Sequence, residues 1–278
     1  MKKQKIIRFE DSERIFKCPV CMEALYLKDK SLLCKNKHCF DISKHGYINF
    51  ILNAKSQKDY NKNSFENRRI ILERGIYNHI LKEIIDFLND TSSISRVLDV
   101  GCGEGFYANQ IYQSTNKEVC AFDISKESIQ LAAKRDTSNS VKWFVADLAH
   151  LPMKNQSVDC ILDIFSPANY CEFHRILTPD GYLVKIIPGD GHLKELREKA
   201  REYLKNKDYS NQQIVNYFEN HFSTICRKKI TAQYEISANE REALINMTPL
   251  LFNVNKENID WTEINHITIE AEILIGRP

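Results

Sequence analysis

Val97-Leu98-Asp99-Val100-Gly101-Cys102-Gly103-Glu104-Gly105 is the stretch that decides the fold. An apolar strand runs into a turn with glycine at alternate positions, and a helical pattern follows over 106–113. Glycine lets the backbone approach a ligand closely and accepts positive φ. A helix N-terminus beside such a turn favours negative charge, for example a carboxylate. Further apolar runs recur at 119–124, 141–146, 160–165 and 182–187. Helical segments such as 127–134 and 170–177 lie between them, the second stopped by Thr178-Pro179-Asp180-Gly181. Short strands alternating with helices predict βαβ units and a parallel sheet covered on both faces.

Past Pro188 the rhythm changes. A charged helix is expected from His192 to about Lys205 and a second one over 211–219. Strand-like stretches at 223–236 and 263–275 flank a helix opened by the capping box Ser237-Ala238-Asn239-Glu240. Two late strands around one helix would finish the parallel sheet with an antiparallel pair, the ending found in S-adenosylmethionine (SAM) methyltransferases. The glycine loop agrees, because D-x-G-x-G-x-G leaves less room for a pyrophosphate than the dinucleotide pattern G-x-G-x-x-G. Asp99 suits the amino end of a methionine moiety. Asp123 ends the second strand, where a carboxylate accepts ribose hydroxyls, with a helix cap as the plainer reading. Asp147 ends the third strand, beside adenine or as a turn residue. Asp99, Gly101, Gly103, Gly105, Asp123 and Asp147 are therefore the candidate SAM contacts, on a Rossmann-like α/β fold.

Upstream, Cys18-Pro19-Val20-Cys21 and Cys34-Lys35-Asn36-Lys37-His38 give C-x2-C-x12-C-x3-H. Two short-spaced pairs on tight turns, brought together by a hairpin, match a closed, structural Zn²⁺ site. Cys18, Cys21, Cys34 and His38 are the expected ligands, with the adjacent Cys39 as the alternative fourth. So small a unit gains its folding energy from the metal.

The chain has 278 residues, 27% of them charged, and a formal net charge of +2, a balance that neither requires nor excludes a nucleic-acid partner. No apolar run approaches the roughly 18 residues of a membrane span, and the basic start is not followed by a signal-peptide core, so a cytoplasmic protein is expected. Cys120, Cys160 and Cys226 read as small buried hydrophobes. The expected division is a zinc module over 1–52, a linker and helical segment over 53–92, of which 53–65 reads as the linker, and a methyltransferase domain over 93–278. Lys2-Lys3-Lys5, Arg68-Arg69 and Arg227-Lys228-Lys229 are clusters able to meet phosphate. On the target side, the fourth strand ends in Asp163-Ile164-Phe165-Ser166-Pro167-Ala168-Asn169. Phe165 could stack on a base, and Asp163 or Asn169 could bond its edge, with Asp163 as the candidate proton acceptor and a helix cap as the other reading of Asn169. His192 reads as a cap or surface residue.

Over nearly its whole length the chain resembles the 23S ribosomal RNA (guanine-N1)-methyltransferases. The resemblance rests on Phe16-Lys17-Cys18-Pro19-Val20-Cys21, Cys34 and His38, the run Phe40 to Asn49 with its F-D-x-x-x-x-G-Y-x-N pattern, Arg68 to Tyr77, the glycine loop, Phe165-Ser166-Pro167, Leu177 to Tyr182, His192 to Leu196, and Met247-Thr248-Pro249. It implies zinc at Cys18, Cys21, Cys34 and His38, SAM around Gly101–Gly105 and Asp123, and methyl transfer to N1 of one guanine. It also implies a homodimer whose zinc modules grip an rRNA hairpin. The chain departs from the family where Asp59-Tyr60-Asn61 replaces a G-D-S stretch and where Asp180 replaces a glycine. Other readings open from the residues are a small-molecule SAM methyltransferase and a catalytically silent RNA-binding protein.

Overall fold

The computed structural model describes residues 4–52, 62–204 and 209–278. Helices α1 (Gln4–Ile7) and α2 (Ser12–Ile15) precede a small antiparallel sheet of β1 (Tyr26–Lys28), β2 (Ser31–Leu33) and β3 (Cys39–Asp41). Strand β4 (Tyr47–Asn49) follows, then helices α3 (Lys62–Glu73) and α4 (Asn78–Asp90). The alternating region comprises β5 (Arg96–Val100), α5 (Phe106–Ser114), β6 (Glu118–Asp123), α6 (Lys126–Arg135), β7 (Lys142–Val145), β8 (Val158–Ile164), α7 (Tyr170–Ile176) and β9 (Leu177–Pro188). The chain ends with α8 (Lys194–Lys199), α9 (Gln212–Glu219), β10 (Ser223–Glu235), α10 (Ala238–Met247) and β11 (His266–Arg277).

Eight strands form one sheet in the order β10-β11-β9-β8-β5-β6-β7-β4. Strand β11 runs antiparallel to β10 and β9, and the remaining pairs are parallel. This is the expected α/β fold with an antiparallel ending. Strand order reverses between β5 and β8, and ligands of open parallel sheets bind beyond the strand ends at such a switch point. The glycine loop leaves β5 there.

Side chains alternate between two cores, as the period of two in a strand requires. On β6, Val119 and Ala121 face α4–α6 and α10, whereas Cys120 and Phe122 face the opposite side. That second side is covered partly by α7 and α9 and partly by the cysteine-rich unit itself. Phe9, Phe16, Leu25, Leu32, Phe40 and Phe50 share one core with Leu98, Phe144 and Met153. Phe16 packs edge-on against Phe144 with ring centres 5.1 Å apart. Strand β4 also pairs in parallel with β7, Ile48 opposite Phe144. The expected boundary at residue 52 thus follows a strand of the main sheet, and the cysteine-rich unit takes the place of a covering helix.

Several elements depart from expectation. The linker read at 53–65 lies outside the described residues over 53–61, and Lys62–Phe65 already belong to α3. The stop at Thr178–Gly181 is a bulge within β9, where the register jumps from Val158↔Leu177 to Cys160↔Tyr182. The helix expected from His192 to Lys205 is only α8 plus a 3₁₀ turn at Arg201–Tyr203. Strand β11 starts at His266, because Ile264 N–H closes a turn onto the Trp261 carbonyl. The capping box is fully formed, with Ser237 and Glu240 satisfying each other's backbone N–H.

Candidate active site and metal centre

The glycine loop shows why its residues are glycines. Gly101, Gly103 and Gly105 have φ of 64°, 56° and 81°, a region that costs an ordinary L-residue about 1–2 kcal/mol. Gly103 N–H donates to Asp123 Oδ2 at 3.0 Å, and Ser125 N–H donates to Oδ1 at 2.8 Å. Asp123 is thereby fixed against the loop at the end of β6, with lone pairs left for hydroxyl donors. Its neighbour Ser125, not Asp123, caps α6. Asp147 is exposed and accepts Ala149 N–H at 2.9 Å, so it forms a turn at the rim.

Beneath the loop lie two buried acids, each with one oxygen unpartnered. Asp99 is 2% exposed and its Oδ2 has no hydrogen-bond partner. Burial pushes its carboxyl up to about 7, against the pull of the Arg68 guanidinium. Glu104, also buried, keeps Oε2 unpartnered, and burial raises its carboxyl too. Orphaned buried acceptors are expensive unless a ligand satisfies them. Together with the open cradle at Gly103, they fit a ligand that brings an ammonium and hydroxyls, as SAM does.

A cavity of about 1040 Å³ lies beside the loop, sharing with it the side chains of Phe65, Arg68 and Ser166, which line the cavity and flank Gly103 and Gly101. Its walls come from α3, the ends of β8 and β9, α9 and the segment after α10, with Arg68, Tyr77, Phe165, Lys185 and His192 among the lining residues. Phe165, held at a φ of 53°, stands edge-on to Tyr77 at 6.0 Å and lies 5.6 Å from the His192 ring. The expected base-stacking residue therefore belongs to an aromatic wall.

Asp163 does not stand where a proton acceptor must. It is 0% exposed. Lys185 Nζ lies 2.6 Å from its Oδ2, and Ser166 Oγ lies 2.7 Å from its Oδ1. Burial raises its carboxyl even against Lys185, but neither oxygen turns to the cavity; Lys185 and Ser166 do. Asp163 is therefore corrected from base contact to positioning residue. Of the two readings of Asn169 the structure has the helix cap, since its side chain accepts Glu172 N–H at the start of α7 and donates to the Leu148 carbonyl.

The sequence reads His192 as a cap or surface residue and Arg68 as one of a pair able to meet phosphate, and it passes over Lys185; all three line the cavity. His192 is 9% exposed rather than a surface residue. Burial pushes its imidazole down to about 4, and Nδ1 is left unpartnered. Lys185 sat unnoticed in an apolar strand, although its neighbour across β8/β9 is Asp163. Arg68 stands beside the glycine loop, with Nε 3.8 Å from Glu104 Oε1.

In the N-terminal unit, Cys18, Cys21, Cys34 and His38 converge with their ligand atoms all within 4.8 Å of one another. Cys18 and Cys34 Sγ lie 3.5 and 3.4 Å from His38 Nδ1, and Cys21 Sγ lies 3.6 Å from Cys34 Sγ. A tetrahedron with Zn–S near 2.3 Å and Zn–N near 2.0 Å has edges of about 3.8 and 3.5 Å. Those separations fit a metal at the centre. Cys39 is exposed and its thiol lies near Asp41, which leaves His38 as the fourth donor.

The sequence is 32% identical over 277 residues to a Bacillus subtilis protein, YxjB, that carries a 23S rRNA (guanine-N(1)-)-methyltransferase name, covering 94% of this chain and 96% of that one. The chain belongs to this methyltransferase family. A second relative, the 23S rRNA (guanine(748)-N(1))-methyltransferase of Streptomyces fradiae, is 23% identical over 95% of this chain and 97% of its own. The zinc-ribbon family described as "RlmA, N-terminal" matches residues 16–57, and "Methyltransferase domain" matches 97–181. Among solved structures, a Methanococcus maripaludis protein described as an S-adenosyl-L-methionine-dependent methyltransferase superposes with a TM-score of 0.50 at 16% identity, over 81% of this chain and 96% of that one, and shares the fold.

Proposed function

We propose that this protein transfers a methyl group from SAM to N1 of a guanine in 23S ribosomal RNA. The full-length likeness to the family carries that reading, and an aromatic-walled cavity beside the glycine loop supports it. SAM would supply the methyl, its sulfur keeping the electron pair of the broken bond, and guanine N1 would release its proton to solvent as the new N–C bond forms. The chain does the rest by placement. Asp99 meets the ammonium, Asp123 the ribose hydroxyls, and the backbone at Gly101, Gly103 and Gly105 allows close approach, with Asp147 at the adenine rim. Phe165, backed by Tyr77 and His192, stacks the guanine and excludes water from its face. Asp163 acts indirectly, by holding Lys185 and Ser166 at the cavity wall. Nearness and alignment of N1 with the methyl account for the bulk of the acceleration.

In the same reading, Zn²⁺ at Cys18, Cys21, Cys34 and His38 is structural. The unit over residues 1–52 grips an rRNA hairpin, the segment 53–92 connects it to the methyltransferase domain, and the enzyme works as a homodimer in the cytoplasm. Among the described residues no helix is long and apolar enough to cross a membrane.

The decisive experiment is radiolabelled methyl transfer to protein-free rRNA from a strain lacking the gene, with the modified nucleotide mapped at base resolution. Label at N1 of a guanine is expected. SAM binding without transfer to RNA would leave a silent RNA-binding protein, and a labelled metabolite with unlabelled RNA would leave a small-molecule enzyme.

A further inference from the structure

Helix α3 lies across the glycine loop. A Cβ built on Gly103 would stand 3.3 Å from Arg68 Nη1 and 3.9 Å from Phe65 Cε1. Arg68 therefore reaches the point where the loop's backbone is most open. Its side chain is 27% exposed and lines the cavity. Glu104 Oε1 is 3.8 Å from its Nε, too long for a hydrogen bond. Among the described residues no hydrogen bond ends on its guanidinium. A planar fork of donors is thus presented to the cavity at the loop.

The surrounding charges say what it meets. Asp99, Glu104 and Asp123 cluster under and beside the loop, each raised by burial. Three acids suit the sulfonium and ammonium of SAM but repel its carboxylate. The amino-acid end of that ligand carries ammonium and carboxylate on one carbon, so a site rich in acids needs one cation at the same place. A guanidinium matches a carboxylate with two parallel N–H bonds. Arg69, next in sequence, points elsewhere, its Nε 3.9 Å from Glu73 Oε1 on the same helix. The paired arginines are divided between two tasks.

We propose that Arg68 binds the methionyl carboxylate of SAM, so that α3 clamps the cofactor over the glycine loop, and that it is not an RNA phosphate contact. This rests on the reading of the loop as the SAM site. The test is calorimetric binding of SAM and of decarboxylated SAM, which lacks only the carboxylate, to wild type, Arg68→Ala and Arg68→Lys. A lost charge-assisted hydrogen bond corresponds to roughly 10- to 100-fold in affinity. Wild type should prefer SAM over the decarboxylated ligand by that factor. In Arg68→Ala the preference should fall to about 3-fold or less, and Arg68→Lys should lie between. The ratio is taken within one protein, so partial misfolding of a variant does not alter it. An unchanged ratio in Arg68→Ala overturns the proposal, and does so in favour of a phosphate contact if RNA binding weakens instead. Wild-type protein that binds neither ligand would sink the SAM reading itself, a separate outcome.

Discussion

Gly103 and Gly105 stand two residues apart in one motif, yet an added methyl should damage the protein in two different ways. At Gly105 a Cβ would lie 2.5 Å from Trp143 Cη2 and 2.8 Å from both Trp143 Cζ3 and Ala132 Cβ. Trp143 is fully buried, and its indole N–H donates to Asp136 Oδ2 at 2.9 Å. Asp136 in turn pairs with Arg8 at 3.2 Å with both side chains inaccessible. The ring has nowhere to retreat without breaking that buried chain. Left-handed backbone strain of about 1–2 kcal/mol and overpacking of about 1–3 kcal/mol together give roughly 2–5 kcal/mol for Gly105→Ala. At Gly103 the nearest atom is the flexible end of Arg68, 3.3 Å away, so only the strain of about 1–2 kcal/mol applies. At about 2–4 °C per kcal/mol for a chain near this size, Gly105→Ala should melt roughly 5–15 °C below wild type and Gly103→Ala a few degrees below. The order reverses for cofactor binding, because the Gly103 methyl intrudes on the cradle. Thermal melts, followed by calorimetry with S-adenosylhomocysteine, read both quantities. A Gly105→Ala protein that melts no lower than Gly103→Ala would refute the wedge against Trp143.

Three further outcomes are expected. Asp136→Asn leaves the Arg8 guanidinium buried without its counter-charge and should lower stability by about 3–5 kcal/mol, seen in the urea midpoint, with Arg8→Met in the same protein recovering part of the loss. His192 has a folded pKa pushed down to about 4 against roughly 6.5 when unfolded, so the unfolded chain takes the proton first. Its contribution is fully present above about pH 6.5 and is lost as pH falls towards 4, about 3 kcal/mol in all; urea titrations at several pH values should show a shallower acid loss in His192→Gln. Metal analysis should find one zinc per chain, and chelation or Cys21→Ser should expose the stretch 18–39 to protease and abolish transfer to rRNA while S-adenosylhomocysteine still binds; intact protease resistance without metal would contradict a structural zinc.

The alternation of strands and helices from β5 to β9 was legible because each strand is buried on both faces and reads as an apolar run. Strand β4 was not. Its three residues are too few to show a period, and what makes them a strand is pairing with Trp143, Phe144 and Val145 almost a hundred residues on. The same holds for the core under the cysteine-rich unit. Phe16, Phe40 and Phe50 pass for the inner residues of a small metal-bound knuckle until Phe144 is placed against them. The start of α3 was hidden for another reason: the polar run of the expected linker continues into its first turn.

In the site, glycines and metal ligands could be read because their spacing is local, whereas charges could not. A lone Asp, Lys or Arg in a sequence is taken for a surface group, since burying it unpaired costs several kcal/mol, and the partner that lifts this objection lies on another element. Asp163 looked like an acid facing the substrate because it ends a strand, yet its opposite number in the parallel register is Lys185. Once β8 and β9 are accepted as neighbours, an acid and a lysine facing each other near their carboxyl ends predict a closed pair rather than a free base. Arg68 obeys the same logic in reverse. It stands among three acids and closes on none of them at hydrogen-bonding distance among the described residues, which is the arrangement expected of a cation whose partner arrives with the ligand.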